Sequence, residues 1–408
     1  MKNTGFYPAE ILLPKTAEME KWAVIACDQF TSEKDYWDEL AKFVGDARST
    51  LKLTLPEIYL NDNAEERIRV INKNIDEYLA QGVFETLPKG YVLTVRETPY
   101  VKRRIGIVAC VDLEQYDYKK DVRPLVRATE GTIEERIPPR LKIRENAAVE
   151  FPHIMILYDD EKRAIAEKLF ERRAEFKKIY DFDLNMGGGH IEGYFIPESE
   201  NLPEKFSELL DENRLVAKYG KADEFAFAVG DGNHSLATAK AHWNRVKANL
   251  TDKERETHPA RFALAEFVNI YDEGIYFEGI FRFVTGVDGD KFTAELKSAV
   301  KGHYRIMKGD LKEDIKGDGT LPAVISAIDG FIKDYIAKNG GAVDYVHGEE
   351  NLAKLVQADK ASVGILPDSL NKSDLFKYVS NSGALPRKTF SMGNGVEKRY
   401  YLEAKKIK

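Results

Sequence analysis

The chain has 408 residues, of which 43% are hydrophobic and 32% are charged, and its formal net charge is -7. Such a composition is typical of a globular protein with two or three domains. The negative charge gives no support for binding to nucleic acid, and the sequence contains neither a signal-peptide core nor an apolar stretch of membrane-spanning length. We therefore expect a cytoplasmic protein whose two cysteines, Cys27 and Cys110, are reduced core residues.

The N-terminal region, residues 1–120, is predicted to be α/β. Residues 22–27 form a strand candidate, and Asp28 begins the polar turn that follows it. Open α/β sheets place ligand groups at this end of a strand, so Asp28 is a candidate catalytic residue, although it is equally suited to bonding its own turn. Further strands are predicted at 51–57, 91–96 and 104–113, and an amphipathic helix at 61–80.

Residues 121–150 are rich in arginine and glutamate and poor in large apolar side chains. One interpretation is a solvated helix that carries many ion pairs. The other is a wall of a phosphate site, because arginine can hold phosphate through two parallel hydrogen bonds. The candidates for that wall are Arg127, Thr129, Glu130 and Thr132.

Three consecutive glycines, Gly187 to Gly189, precede His190. Before them, residues 151–158 are predicted to form a strand and residues 159–179 a long helix. The glycines indicate either a flexible hairpin tip or a point where the backbone closely approaches another group. Neither a dinucleotide-binding pattern nor a P-loop pattern is present there.

The centre of the chain contains the pattern strand, turn and helix. Residues 225–229 are apolar, residues 231–235 read Asp-Gly-Asn-His-Ser, and residues 236–250 have helical periodicity. Gly232 can adopt positive φ, and Asn233 or Ser235 can cap the helix. A turn of this kind suits a phosphate or carboxylate ligand, although the same residues occur in turns that bind nothing.

The C-terminal region, residues 288–408, is predicted to be smaller and α+β, with a last strand that returns to the core. The central region then covers residues 121–287. Near the end of the chain, Arg387 and Lys388 lie in a basic, hydroxyl-rich turn. They are candidates for binding an anion, and an exposed basic turn is the alternative.

Five segments together resemble the bacterial family catalogued as domain of unknown function 1015. They are residues 24–32, 127–132, 185–190, 230–235 and 385–401. That family is similar to the ParB/sulfiredoxin-like superfamily, which includes free serine kinases. The resemblance implies a mixed α/β or α+β fold, with a ParB/sulfiredoxin-like core of mixed sheets and flanking helices.

The resemblance also implies roles for single residues. In the serine kinases an Asp-Gly-His-His-Arg turn at a helix start holds nucleotide phosphates. Asp231, Gly232 and His234 match this turn, whereas Asn233 and Ser235 replace the first His and the Arg. The lost Arg removes a phosphate contact unless Arg127, Arg140 or Arg387 replaces it. Of a His-Arg pair that many family members carry near residue 280, this chain retains only Arg282.

The resulting hypothesis is an enzyme that handles a phosphoryl group on a small metabolite, either a phosphoserine phosphatase or a serine kinase. Asp231 would act as base or Mg²⁺ ligand, His234 as general acid or base, and Glu130 and Asp28 as further catalytic groups. ATP or ADP and Mg²⁺ are candidate cofactors. The sequence leaves the oligomeric state open, with a symmetric homodimer as one candidate because soluble metabolic enzymes often form such dimers. The alternative is a nucleotide-binding regulatory protein of ParB type without a DNA-binding domain. The predicted phosphate- and substrate-binding residues are Gly232, Asn233, Ser235, Arg127, Thr129, Thr132, Arg140, Arg282, Arg387, Lys388 and His190.

Overall fold

A computed structural model describes residues 2–119 and 122–408 of the chain. Helices and mixed sheets confirm the predicted α+β class. The chain divides into two compact units, Met1–Ile275 with Asn394–Lys408, and Tyr276–Gly393. The division into three regions stays a prediction, and its first boundary, at Lys120 and Asp121, lies outside the described residues.

The first unit contains most of the described strands. Its sequence is interrupted by that of the second unit and resumes at Asn394. Its strands are β1 (Phe6–Tyr7), β2 (Leu12–Pro14), β3 (Val24–Ile25), β4 (Phe84–Thr86), β5 (Gly90–Glu97), β6 (Arg104–Asp112), β7 (Tyr116–Asp117), β8 (Val126–Ala128), β9 (Val149–Glu150), β10 (Met155–Tyr158), β11 (Lys177–Leu184), β12 (Gly189–Pro197), β13 (Phe227–Asp231), β14 (Phe262–Asn269), β21 (Tyr400–Tyr401) and β22 (Lys405–Lys406). Its helices are α1 (Met19–Trp22), α2 (Lys34–Val44), α3 (Ala64–Ala80), α4 (Ile137–Glu145), α5 (Ala166–Glu171), α6 (Leu202–Glu208), α7 (Glu212–Tyr219), α8 (Asn233–Lys247) and α9 (Asp252–Thr257).

A ten-stranded mixed sheet organises this unit. Its order is β11-β12-β5-β6-β14-β10-β13-β8-β7, and β1 also pairs with β6. The strands β8 and β13 are parallel, as are β10 and β14, whereas β10 and β13 are antiparallel. Parallel pairing places the ends of β8 and β13 at the same edge of the sheet.

Both faces of the large sheet are buried. Along β6, Ile105 and Ile107 pack into one apolar cluster, and Val108 and Cys110 pack into the other. Because successive side chains of a strand point to opposite faces, a continuous apolar run is what a strand covered on both faces requires. Cys27 and Cys110 are both free cysteines, as expected.

Two-stranded sheets attach the end of the chain to this unit. Strand β21 pairs antiparallel with β3, and β22 pairs antiparallel with β9. In the first pair Tyr400 lies opposite Ile25 and Tyr401 lies opposite Val24. The residues just before β21 therefore lie beside the residues just after β3.

The second unit has one six-stranded sheet and four helices among its described elements. Its strands are β15 (Phe277–Thr285), β16 (Tyr304–Lys308), β17 (Leu311–Ile315), β18 (Ala342–His347), β19 (Val363–Pro367) and β20 (Phe390–Met392). Its helices are α10 (Gly289–Ala299), α11 (Leu321–Asn339), α12 (Glu349–Ala358) and α13 (Leu375–Ser382). None of the helices within residues 2–119 and 122–408 is both long and apolar enough to cross a bilayer.

Two element predictions are wrong. Residues 51–57 form no strand, and short 3₁₀ turns at Thr50–Lys52 and Glu57–Tyr59 occupy that part of the chain. The long helix predicted for residues 159–179 is the short helix α5, and β11 begins soon after it at Lys177.

Candidate functional site

The turn at residues 231–235, here called the central turn, connects β13 to α8. Gly232 is the N-cap residue of α8, with φ of 77° in the left-handed region. A Cβ atom at this position would lie 3.0 Å from Ile154 Cα, so both the dihedral angle and the space favour glycine. Because glycine offers no side-chain acceptor, the positive end of α8 is not capped by its own N-cap residue.

Strand pairing brings His153 to the central turn. Met155 lies opposite Asp231 in the antiparallel pair of β10 and β13, so the residues preceding Met155 lie beside the residues following Asp231. The Cδ2 atom of His153 is accordingly 3.5 Å from where a Cβ of Gly232 would be. The imidazole is about nine-tenths buried, with a relative exposure of 9%.

The pairing of β21 with β3 adds two charged groups. Lys398, just before β21, places its Nζ 3.3 Å from Asp231 Oδ2. Asp28, just after β3, has its Oδ2 atom 3.7 Å from His153 Nε2. Four side chains from distant parts of the sequence, Asp28, His153, Asp231 and Lys398, thus meet at the start of α8.

The charges of this group act on Asp28. Burial alone would raise the pKa of its carboxyl group, but His153, a hydrogen bond from Gln29 and the ammonium of Lys398 outweigh burial and lower that pKa. Asp28 is therefore ionised at neutral pH. An ionised carboxylate can accept a proton or bind a cation.

Tyr401 connects the backbone after β3 to His153. The backbone N–H of Cys27 donates to the Tyr401 hydroxyl over 3.1 Å, and that hydroxyl lies 2.9 Å from His153 Nδ1. Burial raises the pKa of Tyr401 well above its ordinary value, so the hydroxyl stays protonated at neutral pH and hydrogen-bonds Nδ1. This contact orients the ring so that Nε2 faces Asp28.

Cys27 lies beside these groups as a neutral thiol. Burial raises the pKa of its thiol to about 12, with a further contribution from Asp28. A thiolate is the nucleophilic form of cysteine, so this environment disfavours nucleophilic catalysis by Cys27 at neutral pH.

The segment after β8 forms the opposite wall of the central turn. The backbone N–H of Ile133 donates to His234 Nε2 over 3.2 Å, so a neutral His234 has its proton on Nδ1. Thr129 Oγ1 donates to Val229 O over 2.6 Å. Within the described residues, Thr132 Oγ1 and Asn233 Oδ1 are buried without a hydrogen-bond partner. Buried polar atoms normally have partners, so these two oxygens are suited to a ligand.

Three of the four arginines predicted to bind phosphate are paired with carboxylates. Arg127 forms two hydrogen bonds of 2.7 Å with Asp223, and Arg140 forms an ion pair with Glu57. In the second unit, Arg282 is fully buried and makes a bidentate ion pair with Asp329. The cation next to Asp231 is instead Lys398.

The remaining predicted residues have other surroundings. His190 lies on β12, with Nδ1 2.6 Å from Asp183 Oδ1 and Nε2 2.9 Å from Asp181 Oδ1. Carboxylates on both sides make this ring a poor partner for phosphate. Ser235 is half-buried in the first turn of α8 and Glu130 is half-buried near Thr132, whereas Arg387 and Lys388 are exposed in the second unit.

His153, Lys398 and Tyr401 were not among the residues that the sequence predicted. His153 is in a predicted strand segment, and Lys398 and Tyr401 are in the last segment of the family resemblance. That resemblance marked the segment, but it did not single out the two side chains.

Comparison with protein families gives one match that covers almost the whole chain. The model of a family described as "Protein of unknown function (DUF1015)" matches residues 7–406. No curated protein matches the chain.

Several solved structures show a distant likeness. A conserved hypothetical protein from Pyrococcus furiosus is 9% identical, with a TM-score of 0.37, and the match covers 72% of this chain and 93% of that chain. A free serine kinase in complex with AMP is 7% identical, with a TM-score of 0.40, and the match covers 74% and 92%. SbnI with a C-terminal truncation, from Staphylococcus aureus, is 8% identical, with a TM-score of 0.36, and the match covers 70% and 82%.

Proposed function

The chain belongs to the family of proteins of unknown function DUF1015, and we propose that this protein is a phosphoryl-transfer enzyme acting on a small metabolite, with serine and phosphoserine as the first candidate substrates. The observation that carries the proposal is the meeting of Asp28, His153, Asp231 and Lys398 at the glycine-capped start of α8. The match of Asp231, Gly232 and His234 to the phosphate-holding turn of serine kinases gives the substrate class.

The parts of this group have complementary roles. The N-terminus of α8 and the ammonium of Lys398 supply positive charge for a phosphoryl group. Asp231 or Asp28 accepts the proton of an attacking hydroxyl group or water, and His153, oriented by Tyr401, stabilises the charge of Asp28. The free oxygens of Thr132 and Asn233 are available to hydrogen-bond the substrate.

Mg²⁺ is compatible with the donor set. Asp28 and Asp231 offer carboxylate oxygens, the ligand type that Mg²⁺ prefers, whereas the Lys398 ammonium competes with a metal ion for Asp231. Mg²⁺ would be held by these two carboxylates, and it would neutralise charge on a nucleotide or phosphorylated substrate.

The first experiment measures phosphoryl transfer to serine and hydrolysis of phosphoserine. Purified protein is incubated with serine, Mg²⁺ and either ATP or ADP, and separately with phosphoserine, while phosphoserine and free phosphate are followed by ³¹P NMR. We expect turnover in one of these two reactions and a loss of roughly 100-fold or more for Asp231→Asn. Asp183→Asn is the matched control, because its side chain is 89% exposed beside His190, and we expect it to change turnover by less than about twofold.

The outcomes separate the two hypotheses. Full turnover by Asp231→Asn would contradict the site. If neither reaction occurs and calorimetry detects tight binding of ATP or ADP, the protein is instead the nucleotide-binding regulator. Asp231→Asn should then change that binding, since the carboxylate faces the same turn.

A further inference from the structure

Arg96 holds the backbone that carries Lys398. Its buried guanidinium group makes hydrogen bonds to four backbone carbonyls. One terminal nitrogen donates to Glu397 O over 3.1 Å and to Lys398 O over 2.6 Å, and the other donates to Val396 O over 2.7 Å and to Gly188 O over 3.0 Å. Three of these acceptors are consecutive residues that end at Lys398.

Neighbouring strands strengthen the same attachment. Arg104, on β6, donates to Glu397 O over 2.8 Å. Thr98 Oγ1 donates to Glu397 Oε1 over 2.7 Å, and the other carboxylate oxygen of Glu397 accepts from Asn394 N over 2.8 Å. The segment before β21 is therefore fixed by side chains of β5, of β6 and of Thr98, which follows β5, rather than by a strand ladder.

This attachment requires arginine at position 96. A guanidinium is a planar fork of five donors, and lysine has a single ammonium that cannot span the same four acceptors. Burial is unfavourable for the charged group and, together with the nearby Arg104, lowers the pKa of Arg96 to about 9. The hydrogen bonds to the four carbonyls offset part of that penalty, because charged donors make the stronger hydrogen bonds.

We propose that Arg96 is a positioning residue, which fixes the Val396, Glu397 and Lys398 backbone so that the Lys398 ammonium faces Asp231. Removing its guanidinium leaves the Val396 and Lys398 carbonyls without these donors and Glu397 O with Arg104 alone, and the segment must shift to regain hydrogen bonds. The effect of Arg96 on the position of Lys398 does not depend on the proposed function, whereas its effect on catalysis rests on that function.

The first test measures that position directly, without a substrate. The full-length protein is treated briefly with acetic anhydride, and peptide mass spectrometry gives the acetylation rate of each lysine. The Lys398 side chain is 11% exposed in the folded protein, and we expect its rate to rise at least about tenfold in Arg96→Met because the segment opens locally. Lys405, whose side chain is 8% exposed, is the internal reference and should keep its rate.

Two further variants make the result specific. Arg261→Met removes another guanidinium, one that pairs with the fully buried Asp112, so it reports general destabilisation. It should leave Lys398 acetylation unchanged. Arg96→Lys keeps the charge but reaches fewer acceptors, so its acetylation rate should lie between those of the wild type and Arg96→Met.

An unchanged Lys398 rate in folded Arg96→Met would overturn the inference. If Arg96→Met does not fold, Arg96→Lys decides, and a wild-type rate there would overturn it as well. An equal rise in Arg261→Met would also overturn it, because the effect would then be general.

The second test uses phosphoryl transfer as the readout. Lys398→Met, Arg96→Met and the double variant are compared as a double-mutant cycle. We expect both single variants to reduce turnover and the double variant to lose no more than Lys398→Met alone, because Arg96 acts through Lys398. Additive losses would contradict this coupling. If the wild type has no turnover, the proposed function fails, whereas the acetylation result still decides the role of Arg96.

Discussion

Two glycine-containing turns stood out in the sequence, and the structure gives them very different surroundings. The central turn lies at the end of β13, an interior strand of the large sheet, and meets residues just after β3, just before β10 and near the end of the chain. The other turn, residues 185–190, is the tip of the hairpin of β11 and β12 at the sheet's edge. Its histidine contacts two aspartates of the facing strand.

The difference shows what makes a polar turn a candidate site. A central strand has neighbours on both sides, so its end collects side chains from several parts of the sequence. The hairpin tip is also held by distant residues, since Arg96 donates to Gly188 O and Tyr400 donates to Asn185 O, but these contacts fix its backbone, and its histidine faces aspartates of the adjoining strand. The side chains that neighbouring segments bring to a turn therefore distinguish these two turns better than their composition does.

The largest expected effect comes from removing the cation of the central turn. Lys398→Met should reduce phosphoryl transfer by roughly 100- to 1,000-fold, because the ammonium near Asp231 would no longer offset the charge that develops in the reaction. His190→Ala, in the hairpin turn, should change turnover by less than about twofold. Steady-state kinetics with saturating substrate measures both. Equal losses in the two variants would remove the functional distinction between the turns.

The next effect compares two glycines with nearly the same φ. Gly232 has φ of 77° and Gly187 has φ of 76°. A Cβ at Gly232 would meet Ile154 Cα at 3.0 Å, whereas nothing lies within 4 Å of a Cβ at Gly187. Gly187→Ala should lower the free energy of unfolding by about 1 kcal/mol, and Gly232→Ala by about 2–3 kcal/mol, since only the second adds a steric conflict.

Urea denaturation of both variants gives these free energies. Gly232→Ala should also reduce turnover, because a shift of Ile154 moves the adjacent His153. Equal losses of stability would mean that the backbone near Ile154 moves without cost.

A smaller effect is expected from single tyrosine hydroxyls in the two regions. Tyr401→Phe removes the hydroxyl that hydrogen-bonds His153 Nδ1, and Tyr180→Phe removes a hydroxyl on β11 that donates to Glu403 over 2.6 Å. Each should lower the free energy of unfolding by about 1 kcal/mol, the usual contribution of a hydrogen bond. Only Tyr401→Phe should lower turnover, by about tenfold, because His153 loses its fixed orientation. A similar decrease for Tyr180→Phe would attribute the effect to stability alone.

The sequence predicted elements with strong local patterns better than elements with weak ones. The helix at 61–80 and the strands at 91–96 and 104–113 correspond to α3, β5 and β6. The predicted helix at 159–179 failed because its last apolar residues fit a strand as well as a helix, and pairing with β12 decides between them. Short apolar runs do not determine their own structure.

In the candidate site, too, the sequence predicted features that depend on neighbouring residues better than features that depend on residues far away in the chain. Gly232 was predicted to adopt positive φ from turn chemistry alone, and it does so. Lys398 and His153 reach the turn only through the register of two strand pairs, β21 with β3 and β10 with β13. Register depends on contacts between residues far apart in the chain, so turn composition and periodicity did not reveal these two side chains.

The smallest expected effect is a change in the titration of His190, which should leave the central turn unaffected. The hydrogen bond to Asp183, and then the contact with Asp181, raise the pKa of His190 above its ordinary value of 6.5. A raised pKa means that the ion pairs stabilise the folded state fully at pH values below the unfolded pKa, and that this contribution disappears as the pH rises through the folded pKa. Because the His190 side chain is 37% exposed, solvent screening keeps the contribution small.

NMR titration of the histidine Cε1 protons measures this pKa. It should exceed 6.5 in the wild type and fall toward 6.5 in Asp183→Asn. His242 gives the opposite reference, because burial lowers its pKa to about 4. A pKa at or below 6.5 for His190 in the wild type would show that the aspartates do not hold the ring. Turnover that followed the titration of His190 would instead connect the hairpin turn to the chemistry and remove the contrast between the two turns.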